Sequence, residues 1–163
     1  MPQRIVSELQ ALASETRRKH PEVRQAADAA LRELQRDPDA ALAASRAQAD
    51  AAPEGGVLLQ PVLLACATKT PKVVLLAVAL LHRCVLLHAV PDSALPRVVE
   101  ALQSLTASPS RTDIDAQLRI LQTVSALITG YTGITAQLLS STLMVCFALY
   151  EHCLLYTSDA ADD

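Results

Sequence analysis

Four cysteines are the residues of this chain best suited to nucleophilic or metal chemistry: Cys66, Cys84, Cys146 and Cys153. None belongs to a Cys-x-x-Cys pair, the spacing on which most structural zinc sites depend. Cys66, Cys84 and Cys146 lie among apolar residues at helical spacing, where thiols usually act as small buried hydrophobic groups. We therefore predict neither a metal site nor a catalytic thiol.

Histidine and glycine patterns point the same way. His82 and His88 are six positions apart, so a helix would place them on different faces and they would not share a metal ion. The chain has 4 Gly, and they form neither a phosphate-binding Gly-Lys loop nor a dinucleotide fingerprint. We predict no catalytic residues, no cofactor and no enzymatic activity for this piece of chain.

One basic cluster is a candidate contact site. Arg17, Arg18 and Lys19 precede His20 near the end of an amphipathic segment. Such a cluster suits an anionic lipid or an acidic partner. It is also typical of cations that stabilise the C-terminal end of a helix through its macrodipole, and this structural interpretation is the favoured one.

A short polar loop is the second candidate. Thr68, Lys69, Pro71 and Lys72 lie between two apolar segments, and residues 57–90 contain no acidic residue. The loop could dock an acidic partner, or it could simply be a solvated turn between helices. The sequence does not decide between these two interpretations.

The composition indicates helices as the elements that position these residues. Hydrophobic residues make up 51% of the 163, aromatic residues 2%, and the formal net charge is −3. Few aromatic residues and a slightly negative charge argue against nucleic acid as a partner. Abundant Ala and Leu with few Gly favour an all-α fold.

Apolar residues recur at helical spacing along the chain. This spacing predicts helices over 3–20, from Pro21, over 57–66, over 73–90 and beyond. Stripes that should face a core are Ile5, Leu9 and Leu12; Val23, Ala27, Ala30, Leu31 and Leu34; Leu95, Val98, Val99, Leu102 and Leu105; Ile114, Leu118, Leu121, Ser125 and Ile128; and Leu139, Leu143, Cys146, Phe147 and Tyr150.

The later helices recur about every 20 residues, so helix pairs repeat about every 40 residues, the period of HEAT and armadillo units. We therefore predict an armadillo/HEAT-like α-solenoid of roughly six to eight helices. The segment 73–90 is apolar enough to raise the alternative of a membrane span. Arg83 lies near its middle, however, and a charge there is costly in a bilayer, so a buried helix is favoured.

The two ends carry separate expectations. Charges recur through the first 40 residues, so we predict no signal peptide and a cytoplasmic protein. Residues 153–163 begin CLLYTSDAAD, which reads like a translated sequencing adaptor. We accordingly expect the native part to be residues 1–152, the N-terminal fragment of a larger protein.

A family resemblance rests on three collinear stretches. Residues 60–85, QPVLLACATKTPKVVLLAVALLHRCV, resemble the N-terminal dimerisation and cyclophilin-binding (DCB) domain of the large Arf guanine-nucleotide exchange factors. Residues 118–152 agree with the same domain, and residues 7–35 look most like its Mon-Two (monensin-sensitivity) branch, which lacks the catalytic Sec-seven domain. Positions that match the family pattern are Cys66, Thr68, Lys69, Pro71, Lys72, His82 and Arg83.

The resemblance implies a non-catalytic scaffold for vesicle traffic, peripheral on Golgi, trans-Golgi network and endosome membranes. It also implies self-association or contact with partner helices of the same chain. Arf or Arf-like small GTPases and a Dopey-type protein would be partners of the full-length chain. The alternative is the regulatory domain of a true exchange factor of the BIG/Sec-seven branch.

Overall fold

The computed structural model describes residues 2–47, 56–107 and 114–159. Over these ranges the chain forms eight α-helices and no strand, which confirms the all-α prediction. The helices are α1 Pro2–Glu15, α2 Pro21–Arg36, α3 Pro38–Ala47, α4 Gly56–Ala67, α5 Pro71–Leu86, α6 Leu95–Thr106, α7 Ile114–Gly130 and α8 Ala136–Asp159, with a short 3-10 helix at Asp92–Ala94 before α6.

Two prolines set helix starts, as the sequence predicts. Pro21 and Pro71 each occupy the first turn, where a missing N–H costs nothing. A proline also disfavours α geometry in the residue before it, and His20 and Thr70 both have non-helical backbones. The prediction of a helix through residue 20 was therefore wrong: His20 is not helical, α1 ends at Glu15, and residues 16–19 form a turn.

The helices form two layers. In one layer α5 lies between α1 and α7; in the other α2, α4, α6 and α8 follow one another. The layers pack face to face through the pairs α1 with α2 and α4 with α5, and α3 lies against α2 and α4. Stacked helices of this kind are the solenoid arrangement that the repeat spacing predicts.

The core lies between the layers and confirms the predicted stripes of α1, α2 and α6. Ile5, Leu9 and Leu12 of α1 are fully buried, as is Leu102 of α6. The α5 helix is apolar on most sides because α1, α4 and α7 all pack against it. No helix in the described ranges is long and apolar enough to cross a bilayer.

One ion pair links the layer partners α1 and α5. Arg83 Nε lies 3.3 Å from Glu8 Oε1, and both side chains are mostly buried, with exposed fractions of 28% and 22%. The charged residue that argues against a membrane span therefore pairs with a carboxylate inside the helical stack.

The end of α5 differs from the prediction of a helix over 73–90. The helix ends at Leu86 in a Schellman motif, where the Ala89 N–H donates to Cys84 O at 2.8 Å and His88 takes a left-handed φ of 51°. Arg46 of α3 then donates to the free carbonyls of Leu87, at 2.7 Å, and His88, at 3.1 Å. These bonds satisfy the last turn and favour termination there.

The stripes predicted for α7 and α8 face the wrong way. The buried residues of α7 are Ala116, Ile120, Thr123, Val124 and Leu127. On α8, Thr142, Val145 and Leu149 are buried. The stripes that the sequence analysis expected in the core, through Leu121 and Phe147, are largely exposed. Both helices carry apolar residues on two faces, and α5 and α6 cover only one of them.

Candidate interaction surfaces

The surroundings of Cys66, Cys84 and Cys146 do not favour a reactive thiol. Cys66 and Cys84 are buried and unbonded, and burial raises the pKa of each thiol from 9.0 to about 12, with the Glu8 carboxylate adding to the effect at Cys84. Burial also raises the pKa of Cys146, which is half-buried. Thiols held protonated are poor nucleophiles and poor metal ligands, and Cys66 and Cys84 pack within the hydrophobic core.

The histidines do not form a metal site in the part of the chain that the structure describes. There, no three His, Cys, Asp or Glu residues lie close enough to hold an ion. Burial, and then the charges of Arg119 and Arg83, lower the pKa of His82. His88 instead packs against Tyr131, with 5.3 Å between the ring centroids.

The two basic features predicted from the sequence lie side by side. The turn between α1 and α2 meets the turn between α4 and α5, and His20 Nε2 lies 3.3 Å from Thr70 Oγ1. One residue into α5, Lys72 Nζ lies 3.0 Å from Glu15 Oε2. Segments some 50 residues apart in sequence thus form one edge of the molecule.

A cleft of about 530 Å³ opens between these turns, and we call it the basic cleft. Its lining residues are Ser14, Glu15, Arg17, Arg18, Lys19, His20, Thr70 and Val73. Arg17, Arg18 and Lys19 are exposed, and none forms an ion pair with another described residue. The cleft therefore presents three uncompensated cations to solvent.

The remaining loop residues shape the turn beside the cleft. Thr68 Oγ1 donates to Ala65 O at 2.7 Å and accepts from the Thr70 N–H at 3.3 Å, closing the end of α4. Lys69 is exposed and has a left-handed φ of 52°. Pro71 is exposed at the start of α5. In the structure Thr68 and Pro71 serve the turn, whereas Lys69 and Lys72 add charge near the cleft.

A second surface lies at the α7–α8 end of the layers, and we call it the terminal apolar surface. It consists of large apolar side chains that are 38–72% exposed: Ile114, Leu118, Leu121 and Ile128 on α7, and Leu139, Leu143, Met144, Phe147 and Tyr150 on α8. Most of the exposed large hydrophobic residues in the described ranges belong to it; the others are Val57, Leu86 and Leu154, of which Leu154 lies in the stretch 153–163 that we expect not to be native. Exposed apolar side chains in this number are typical of a surface that another protein segment covers.

Comparison with known families accounts for this architecture. The profile described as "Mon2/Sec7/BIG1-like, dimerisation and cyclophilin-binding domain" matches residues 1–161. The chain belongs to the DCB domain family. The resemblance seen in the sequence is thereby confirmed.

Individual relatives agree with the family assignment of this DCB domain. "Protein MON2 homolog" of Homo sapiens is 29% identical over 146 residues, which cover 88% of the chain and 8% of the relative. The homologues of Xenopus laevis and Drosophila melanogaster are 27% and 24% identical, over 88% and 90% of the chain. The chain thus spans 8% of the length of these relatives. A comparison with solved structures finds no significant match.

Sequence reasoning on this DCB domain missed three arrangements. It treated the two basic features separately, although a pairing between turns such as His20 with Thr70 is set only by helix packing. It did not find the terminal apolar surface, although the second apolar stripe of α7 and α8 was the available signal. It also missed Arg46, whose capping of α5 no local pattern predicts.

Proposed function

We propose that this DCB domain is a non-catalytic interaction module of a Golgi–endosome vesicle-trafficking protein related to the large Arf exchange factors. The terminal apolar surface is the observation that carries the proposal. Apolar side chains this exposed on two neighbouring helices cost solvation free energy unless another surface covers them.

A second copy of the chain is the occupant that we propose for the terminal apolar surface. The family description names dimerisation, which supports self-association. Phe147 and Tyr150 lie within the surface, and aromatic residues are enriched where protein interfaces are buried. Packing of the two exposed stripes across a two-fold axis would make one patch serve both copies.

The full-length protein in this proposal works through its other regions. It acts with Arf or Arf-like small GTPases and a Dopey-type protein, on the cytoplasmic side of Golgi, trans-Golgi network and endosome membranes. Support comes from the MON2 homologues and from the family resemblance of the sequence. The stretch 153–163 stays a predicted adaptor read-through, although α8 runs on to Asp159.

Light scattering after size-exclusion chromatography over a concentration series tests self-association. We expect a mass that rises to that of a dimer at tens of micromolar, and a monomer for the double variant Leu121→Glu/Phe147→Glu. Val57→Glu is the matched control, because Val57 is an exposed apolar residue on α4, outside the terminal apolar surface. A strict monomer at every concentration, or a dimer that survives the double variant, would contradict the proposal.

A second candidate function is the regulatory domain of a true Arf exchange factor of the BIG/Sec-seven branch. The observation that favours it is the family description, which groups Mon2 with Sec7 and BIG1. Reading the gene beyond the codon of His152 separates the two. A downstream Sec-seven domain would assign the exchange-factor function, and its absence would assign the Mon-Two type.

A further inference from the structure

The geometry points to the basic cleft as a docking site for the anionic headgroups of a lipid bilayer. The cleft lies on the α1–α2 and α4–α5 turns, whereas the terminal apolar surface lies on α7 and α8. The inference is therefore independent of self-association, and either can fail alone.

The edge of the molecule around the basic cleft has an excess of positive charge. The whole chain carries a formal net charge of −3. The edge around the cleft carries five cations, Arg17, Arg18, Lys19, Lys69 and Lys72, against the two carboxylates Glu15 and Glu22. The molecule is thus polarised, and one edge attracts anions although the chain as a whole does not.

The two carboxylates at this edge each lie near a basic side chain. Glu15 lines the cleft, but its Oε2 lies 3.0 Å from Lys72 Nζ, so its charge is already compensated. Glu22 is near His20, at 3.9 Å. The three cations of the lining, Arg17, Arg18 and Lys19, have no such partner among the described residues, and their charges stay available to a ligand.

The side chains that line the cleft are suited to binding a phosphate group. Guanidinium groups bind phosphate oxygens in a bidentate way, and an ammonium adds a point charge. The Ser14 and Thr70 hydroxyls and the His20 ring supply further hydrogen-bonding groups in the same cleft. With a volume of about 530 Å³, the cleft has room for a phosphate-bearing headgroup.

Exposed large apolar side chains are absent from the described residues that line the cleft, which favours a lipid surface over a protein partner. Protein interfaces are built around buried apolar and aromatic residues, and charges are depleted at their centre. Among the described residues, the exposed large hydrophobic side chains lie elsewhere, and Val73, in the cleft lining, is buried. A polar, cationic, exposed edge is suited to the headgroup layer of an anionic membrane.

Vesicle co-sedimentation with the full 163-residue chain tests the inference. The probes are phosphatidylcholine vesicles with and without phosphatidylserine, at low and raised salt. We expect binding only to the anionic vesicles, and its loss as salt screens the exposed charges. The triple variant Arg17→Gln/Arg18→Gln/Lys19→Gln should bind about a hundredfold more weakly, because each cation near an anionic surface contributes roughly fivefold.

A charge-matched variant controls for net charge. Arg4→Gln/Arg32→Gln/Arg36→Gln removes three exposed cations of α1 and α2 that do not line the cleft. It should weaken binding only a few-fold, and circular dichroism should show both triple variants folded. Equal losses in the two variants, or no binding to anionic vesicles, would overturn the inference.

Two soluble anions test whether the cleft binds a ligand other than a lipid headgroup. Release of the protein from vesicles by millimolar inorganic phosphate would assign the cleft to a single phosphate, and stronger binding to a poly-glutamate peptide would assign it to an acidic protein. Either result overturns the lipid assignment. Repeating the assay with the Leu121→Glu/Phe147→Glu variant separates vesicle binding from dimerisation, because we expect a monomer to retain cleft-dependent binding.

Discussion

At the residue scale, the structure explains why this chain has thiols and histidines but no reactive centre. Cys66 and Cys84 lie in the hydrophobic core, where solvent is excluded. Arg83, the one Lys, Arg, Asp or Glu in the apolar stretch 73–90, is matched by Glu8. Ionisable groups in the core are thus either kept neutral or paired, as burial of charge requires.

The buried thiols predict a loss of stability at alkaline pH. Their pKa is 9.0 when exposed and about 12 when folded. Because only the unfolded chain loses these protons between pH 9 and 12, stability is full below pH 9 and falls as pH rises. Each thiol should contribute a slope that approaches about 1.4 kcal/mol per pH unit, measured by urea unfolding from neutral to alkaline pH.

The control for this prediction uses the other cysteines. The double variant Cys66→Ala/Cys84→Ala should show a shallower decline, whereas Cys153→Ala, which changes an exposed thiol, should keep the original slope. An unchanged slope in the double variant would contradict the assigned burial.

At the element scale, most helix positions are well predicted, whereas helix orientation is predicted for α1, α2 and α6 but not for α7 and α8. Pro21 and Pro71 mark helix starts through the fixed geometry of their rings, a property that the sequence carries by itself. For α1, α2 and α6 only one face is apolar, so the core-facing stripe follows directly. On α7 both Ile120 and Leu121 belong to apolar stripes, and only the position of α5 decides which is buried.

This orientation predicts unequal effects for two adjacent substitutions on α7. Ile120 is fully buried and Leu121 is 41% exposed. Ile120→Ala should lower the free energy of unfolding by about 2–5 kcal/mol, because it leaves a cavity beside α5. Leu121→Ala should cost about 1 kcal/mol or less. Chemical denaturation at a dilute protein concentration measures both losses in the free energy of unfolding. A larger loss for Leu121→Ala than for Ile120→Ala would contradict this orientation and support the buried stripe expected from the sequence.

The candidate site could be predicted only in part, for a related reason. The basic cluster and the polar loop are both visible in the sequence because their residue types are unusual for their surroundings. Their adjacency depends on α1 and α4 both packing near the start of α5, which requires contacts between distant segments. The terminal apolar surface was hidden because an apolar side chain indicates burial by default.

At the scale of the whole molecule, the layered stack has a well-packed middle and an open end. The α5 helix contacts α1, α4 and α7, whereas α8 packs mainly on α6 and has less contact with α7. In stacked-helix proteins stability is a sum of local and nearest-neighbour contributions, so it need not be uniform along the chain.

Hydrogen exchange should reveal this gradient. In a dilute sample, amides of α5 should exchange most slowly among the described helices, and amides of α8 should exchange faster than those of α5, because α8 packs mainly on α6 alone. At concentrations that give the dimer, protection of α7 and α8 should rise while that of α1 stays constant. Mass spectrometry after timed exchange measures this, and equal protection of α5 and α8 in the dilute sample would count against the open end.

The hydrogen bonds from α3 to the end of α5 have a consequence for how the chain tolerates insertions. Ser45 and Arg46 fix the last turn of α3 to the carbonyls of residues 87–89, and Gly56 begins a helix that packs independently on α2 and α5. Both anchor points of the connection between Ala47 and Gly56 are therefore held by contacts that do not depend on its length. Because doubling the length of flexible chain between two fixed ends costs only about 0.6 kcal/mol, we expect a reporter domain inserted between Ala47 and Gly56 to leave the flanking helices folded.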